Sequence, residues 1–261
     1  MKAVALAFEE YGDADAPALL ISHGFFASSR NWRQIARKLA EHFHIYLLDM
    51  RNHGDSPHVS VMDYPSMAAD IEFFLDSQEL SNANILGHSM GGKAAMWLAL
   101  SRPEYINKLI VADISPFSYR HSFDNLIQTL KQLPLEELTN RKQADRLLSS
   151  AIPESSFRQF LLQNLVLKEG KYSWRIDLDV FAQTADNIIA FPDTDGLNIY
   201  LDKVLFLAGE KSNYIDQQSV KKLFPNAVIK TIDGAGHWLH AEQPELFCDA
   251  VNEFLHESNH V

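Results

Sequence analysis

The chain has 261 residues, 46% hydrophobic and 22% charged, with 23 basic against 34 acidic side chains and a formal net charge of −11. That length suits one large domain or a core domain carrying an insertion, and the acidic balance argues against nucleic acid or an anionic membrane as the main partner. The lone cysteine, Cys248, excludes an internal disulfide and fits a reducing compartment, so a cytoplasmic protein with an inert core thiol is expected.

Met1–Phe8 is too short an apolar run for a signal peptide, ends at Glu9-Glu10 without a cleavage pattern, and reads as a first strand. Ala18–Ser22 is the first buried strand, followed by Trp32, Ile35, Ala36 and Leu39 at helical spacing. Ile45–Leu48 is the next strand, ending at Asp49. Met67, Ile71, Phe74 and Leu75 mark the next helix. Asn84–Leu86 is a short strand, Lys93–Leu100 reads as a buried helix, and Lys108–Ala112 is again a strand. Near-continuous apolar strands alternating with helices imply a parallel sheet covered on both faces.

The pattern breaks at Pro116. From Phe117 to about Asp195 the chain reads as helices, with Phe123, Ile127 and Leu130 on one face and Phe157, Phe160, Leu161 and Leu165 on another. Tyr172–Ile176 is a hairpin arm or an extended link. Strand–helix alternation resumes with Val204–Ala208, a helix near Ser219–Phe224, a strand over Ala227–Ile232 and an amphipathic helix from about Pro244 to His256. The expectation is an α/β fold, a mostly parallel sheet with helices on both faces, built from residues 1–116 and 196–261. Residues 117–195 are expected to form an inserted helical cap. No apolar run reaches the roughly 18 residues of a membrane span, and oligomeric state is not legible.

The stretch Gly87-His88-Ser89-Met90-Gly91-Gly92 joins a strand to a helix, as a G-x-S-x-G nucleophile elbow requires. Glycine is needed on either side because a side chain there would collide with the neighbouring strand and helix. A neutral serine needs a base, and the base needs an orienting group. Among eleven histidines, His237 is the candidate, because Gly234-Ala235-Gly236 places it on a loop at the carboxyl end of the last strand, where function gathers in such sheets. His240 and His256 are expected to be exposed, and His88 to point away from the serine. Two sites compete for the acid. Asp113 ends the strand after the serine's helix, whereas Glu210 and Asp216 follow Val204–Ala208; Asp113 is preferred, since a carboxylate beside an apolar run needs a charged partner. The backbone N–H groups of Phe25 and Met90 are the candidate oxyanion donors, with His23 a structural hydrogen bonder in the same loop. No H-E-x-x-H spacing and no glycine-rich phosphate loop occurs, so neither metal nor cofactor is expected.

Three motifs together resemble the α/β-hydrolase superfamily over the full length. They are Asp49-Met50-Arg51-Asn52-His53-Gly54-Asp55-Ser56-Pro57, the elbow, and Gly234-Ala235-Gly236-His237-Trp238-Leu239-His240-Ala241-Glu242. Within it they are similar to YbfF-type bacterial esterases, related to the mitochondrial α/β-hydrolase domain-containing protein 11. The resemblance implies a serine esterase with a helical cap, acting on small acyl esters, with acyl-CoA thioesters a further class. It also implies an acid at the earlier strand end, in agreement with Asp113. The wider superfamily usually carries an aspartate where this chain has Ser212. Arg51, Asn52 and His53 are expected to order a loop near the active-site edge. A cofactor-free lyase, a carbon–carbon bond hydrolase and a slow-turnover ligand receptor use the same frame and stay open as alternatives.

Overall fold

The computed structural model describes residues 2–257. Its strands are β1 (Phe8–Tyr11), β2 (Ala18–Ser22), β3 (His44–Leu48), β4 (Ala83–His88), β5 (Ile106–Ala112), β6 (Leu165–Lys168), β7 (Lys171–Trp174), β8 (Val204–Gly209) and β9 (Val228–Ile232). Its helices are α1 (Arg33–Leu39), α2 (Tyr64–Ser77), α3 (Met90–Ser101), α4 (Asp124–Lys131), α5 (Arg141–Leu148), α6 (Ser155–Leu162), α7 (Leu178–Ile189), α8 (Gln217–Leu223), α9 (Leu239–Glu242) and α10 (Pro244–His256). Seven strands form one sheet in the order β1-β3-β2-β4-β5-β8-β9, parallel throughout except for β1 against β3.

Side chains alternate across this sheet with the two-residue period of a strand. Leu20, Tyr46, Leu48, Ile85, Leu109 and Val111 gather with α2 and α3. Leu19, Ile21, Ile45, Leu47, Leu86 and Ile110 gather with α1 and α10. Both faces are thus buried, which explains why the inner strands read as continuous apolar runs. Because these strands are parallel, the loops after β2, β4, β5, β8 and β9 all emerge at one edge.

Between β5 and β8 the chain leaves the sheet and forms α4 to α7 and the β6–β7 hairpin. Ile127, Leu130, Leu161 and Phe181 are fully buried there. Tyr172 is indeed in a hairpin arm. Leu165 departs from the expected helix face: α6 ends at Leu162, and Leu165 opens β6.

The first strand also departs from expectation. Met1 lies outside the described residues, and Lys2–Ala7 carries no strand. Its backbone is satisfied instead by partners off the ladder: Val4 N–H donates to Asp70 at 2.8 Å, Ala7 N–H donates to Ser56 Oγ at 2.8 Å, and the Ala7 carbonyl accepts from Asp49 N–H at 2.9 Å. The strand proper begins at Phe8, where pairing with β3 starts.

Arg51 does order its loop. It is 2% exposed and forks onto fully buried Asp70 at 2.6 and 2.7 Å, while its remaining N–H groups reach the carbonyls of Val61 and Ser66. Burial raises the Asp70 pKa despite the guanidinium, so the carboxylate depends on that partner. Arg51→Met is expected to destabilise the protein by about 3–5 kcal/mol, since it leaves a buried charge unpaired, whereas adding Asp70→Leu restores most of the loss; urea denaturation of both variants measures the difference.

Candidate active site

The loops after β2, β4, β5, β8 and β9, at the carboxyl edge of the sheet, converge on one cavity. Ser89 directly follows β4, with φ 52° and ψ −117°. A non-glycine residue avoids that region unless its surroundings hold it there. Here the Ser89 N–H donates to Ala112 O at 3.0 Å, and the Ser89 carbonyl accepts from Lys93 N–H at 3.0 Å as α3 begins. The flanking glycines are required by space: a Cβ on Gly87 would sit 2.4 Å from Gly91 O, and one on Gly91 would sit 2.5 Å from Ser22 O.

The His237 ring bridges serine and acid. Its Nε2 is 3.2 Å from Ser89 Oγ and its Nδ1 is 2.7 Å from Asp113 Oδ2. Since Asp113 accepts from Nδ1–H, Nε2 is left as the acceptor facing the serine hydroxyl. Asp113 is wholly buried, with φ 51°. Its Oδ1 accepts from Gly209 N–H at 2.9 Å, and its Oδ2 also accepts from the Ser212 hydroxyl. Ser212, at the position that set this chain apart, is therefore a donor to the carboxylate from the earlier strand. Glu210 instead holds Gly234 N–H at 2.7 Å, and Asp216 caps α8; neither is brought to the histidine.

The two residues expected to supply oxyanion donors, Phe25 and Met90, both line this cavity. Gly91 N–H donates to His23 O at 3.0 Å, but among the described residues the Met90 N–H has no protein acceptor. The Phe25 N–H likewise has none. Its direction is fixed through the preceding carbonyl, because in a trans peptide C=O and N–H point oppositely. Gly24 O accepts from His23 Nδ1–H at 2.8 Å and from Ala27 N–H at 3.2 Å, which turns Phe25 N–H the other way. His23 can donate there because its Nε2 accepts from Met50 N–H at 3.0 Å. Burial lowers its pKa and favours that neutral form.

The His88 Nε2–H donates to the His237 carbonyl at 2.8 Å, and burial, with His237 close by, pushes its pKa down to about 3. His256 is exposed as expected, but His240 is not. It is 5% exposed and stacks on Trp32 with centroids 4.0 Å apart. The short helix α9 turns Leu239 and His240 inward, and the stacking partner lies on a different element far upstream. Cys248 is buried, and burial raises its thiol to about 11.

Lys93 carried a signal that the sequence reading passed over, a single charge inside an otherwise apolar helix. It lies one turn beyond Ser89 and is 1% exposed. Its ammonium donates to the carbonyls of Ile189 at 2.7 Å and Ala190 at 2.8 Å, with Ile188 O at 3.5 Å, at the end of α7. Burial pushes its pKa down to about 7, while the carbonyls and the negative end of the helix favour the charged form. Tyr214, whose ring lies 4.3 Å from that of His237, gave no signal at all.

Ser89 and His237 open onto a cavity of about 1050 Å³. Its more buried side is mostly apolar, with Phe25, Phe26, Phe123, Ile114, Ile188 and Ile189 beside Tyr64, Lys93, Tyr119 and the exposed His121, and forms the inner wall. Its outer wall mixes Trp238, Phe157 and Phe160 with Glu154, Gln159 and Glu242. Among the described residues Lys93 is the only Lys or Arg in the lining.

Comparison with known proteins follows the same lines. A family model described as alpha/beta hydrolase fold matches residues 17–244. The chain is 40% identical over 255 residues to the sn-1-specific diacylglycerol lipase ABHD11 of Mus musculus, covering 94% of this chain and 82% of that one. It is 34% identical over 249 residues to esterase YbfF of Escherichia coli, covering 93% and 94%. A solved structure of a marine microorganism esterase superposes with a TM-score of 0.92 at 41% identity, covering 97% of this chain and all of the other.

The elbow geometry yields a steric test. Gly91→Ala places a methyl against the backbone of Ser22 and His23, so it should lower stability by about 1–3 kcal/mol and displace the loop that bears Phe25. Thermal unfolding measures the first effect, and labelling of Ser89 by a serine-directed reagent the second.

Proposed function

The chain belongs to the α/β-hydrolase fold family, and on that premise we propose that it is a serine esterase cleaving uncharged acyl esters through an acyl-enzyme on Ser89. The observation carrying this reading is the unbroken sequence of contacts from Ser89 Oγ through the His237 ring to buried Asp113, with the hydroxyl held on a strained turn at the floor of an apolar cavity.

The steps follow from which atom can hold a proton. Ser89 Oγ attacks the ester carbonyl while His237 Nε2 takes its proton. The carbonyl π pair moves to oxygen, and the N–H groups of Phe25 and Met90 donate to that oxyanion. Asp113 keeps His237 in the tautomer that accepts at Nε2 and stabilises the imidazolium. His237 then returns the proton to the departing alkoxide, leaving the acyl group on Ser89. Water repeats the sequence: His237 deprotonates it, the ester to Ser89 breaks, and the serine oxygen regains its proton.

We assign residues 117–195 as the cap over this site. Its α6 supplies Phe157 and Phe160 to the outer wall, and its α7 brings Ile188 and Ile189 to the inner one. The inner wall suits an aliphatic acyl chain. The outer wall suits an uncharged alcohol better than coenzyme A, because Glu154 and Glu242 would meet its phosphates while Lys93 is engaged by α7. The mouse relative's name specifies a diacylglycerol, an uncharged ester of this kind.

Ser89→Ala is expected to abolish turnover of p-nitrophenyl butyrate and labelling by phenylmethylsulfonyl fluoride, with the adduct mass on Ser89 in the parent protein. Little ester turnover and no adduct would favour a lyase. Asp113→Asn should lower kcat by orders of magnitude, toward about 10⁴-fold, while Glu210→Gln leaves it nearly intact. The rate should fall as acid protonates His237 at Nε2, since the imidazolium cannot act as base. Butyryl-CoA should be a poorer substrate than the neutral butyrate ester by about tenfold or more, and added salt should improve only the thioester; steady-state kinetics at two ionic strengths decide it.

A further inference from the structure

The oxyanion donor Phe25 sits one residue before a second strained position. Phe26 has φ 62°, in the left-handed region that a bulky side chain avoids. Such a conformation persists where its surroundings over-determine it. The Gly24–Ala27 turn supplies one constraint, through Ala27 N–H to Gly24 O at 3.2 Å. Packing supplies another: the Phe26 ring lies against Phe123 and Phe181, with centroids 5.9 and 5.3 Å apart.

The third constraint comes from elsewhere in the chain. Asn164, in the turn between α6 and β6, is 3% exposed, and its Nδ2 donates to the Phe26 carbonyl at 2.7 Å. Asn164 is itself fixed on three sides. Its N–H donates to Leu161 O at 3.1 Å, its carbonyl accepts from Arg175 N–H at 2.8 Å, and its Nδ2 also reaches Leu161 O at 3.3 Å. The amide is therefore a rigid strut from the cap to the turn that carries Phe25 N–H.

We propose that Asn164 is a positioning residue for the oxyanion hole, so that the cap holds one of the two donors in register with Met90 N–H. The proposal rests on the serine esterase reading and adds to it a residue outside the sheet domain. A preorganised donor works by already standing where charge develops. Without the strut, the Gly24–Ala27 turn can relax the strain at Phe26 and carry Phe25 N–H off that point. Ground-state binding of the ester, which involves the cavity walls, would change little.

The test uses the full chain with Asn164→Ala and the isosteric Asn164→Asp, their folding checked by circular dichroism and thermal unfolding. An alkyl trifluoromethyl ketone serves as the oxyanion probe. With it the Ser89 Oγ–carbon bond forms, the carbonyl π pair moves to oxygen, and the serine proton passes to His237. For Asn164→Ala, kcat for p-nitrophenyl butyrate should fall roughly tenfold or more, less than the roughly 100- to 1000-fold of deleting a donor outright. KM should stay within about twofold, and the ketone's inhibition constant should rise by the same factor as kcat/KM falls. Asn164→Asp should show a pH signature. Burial favours the neutral carboxyl, whose O–H can still donate to Phe26 O; rising pH ionises it and removes the donor. Activity should therefore gain an alkaline decline that neither the parent nor Asn164→Ala has. Should Asn164→Ala fail to fold, Asn164→Asp decides alone through that limb. Parent-like kcat and ketone affinity in Asn164→Ala, or no alkaline limb in folded Asn164→Asp, would overturn the proposal. A parent protein that forms no ketone adduct on Ser89 would overturn the esterase reading itself, and the proposal with it.

Discussion

A carboxylate removed from water must find its hydrogen bonds within the protein, and Asp113 finds three: Gly209 N–H, the Ser212 hydroxyl and His237 Nδ1–H. These partners lie at the end of β8, in the loop beyond it, and in the loop after β9. One fully buried side chain thus ties together the carboxyl ends of β5, β8 and β9. The same demand sets the tautomer of His237, and the tautomer decides that an acceptor nitrogen faces Ser89. Sheet order matters here because it places β4, β5 and β8 side by side, so that neighbouring strand ends can share one carboxylate.

What the sequence disclosed depended on whether a residue's role was set by its chain neighbours. Ser89 was legible because Gly87 and Gly91 answer to local sterics, and the fold gives each the close backbone contact that forbids a side chain. The inner strands were legible because burial on both faces leaves few polar residues along them. His237 stood out because the glycines before it mark a loop at a strand end. Asp113 was preferred over the later acids by a desolvation argument, with which the family resemblance agreed, and the geometry brings it, not Glu210 or Asp216, to the imidazole.

The rest depended on partners that no window of sequence contains. His240 looked exposed because a short helix near the surface offers no hint of Trp32, which it stacks upon. Lys2–Ala7 looked like a strand because apolar composition does not say whether a ladder partner exists; Asp70 and Ser56 take the place of one. Ser212 looked like an absence, a missing acid, and proved to be a donor to the acid supplied elsewhere. The segment between β5 and β8 was visible as a break in alternation, but its attachments were not: Asn164 to Phe26, Tyr64 Oη to Ile188 O at 2.6 Å, and Lys93 to the end of α7 join residues remote in the chain.

Lys93 links two elements remote in the chain. Its ammonium projects from α3, while the oxygens that accept from it lie at the end of α7. A segment lacking that trio of carbonyls would leave the buried amine of Lys93 without its acceptors. Residue 93 and the end of α7 are therefore coupled, and a change in one alters what the other needs.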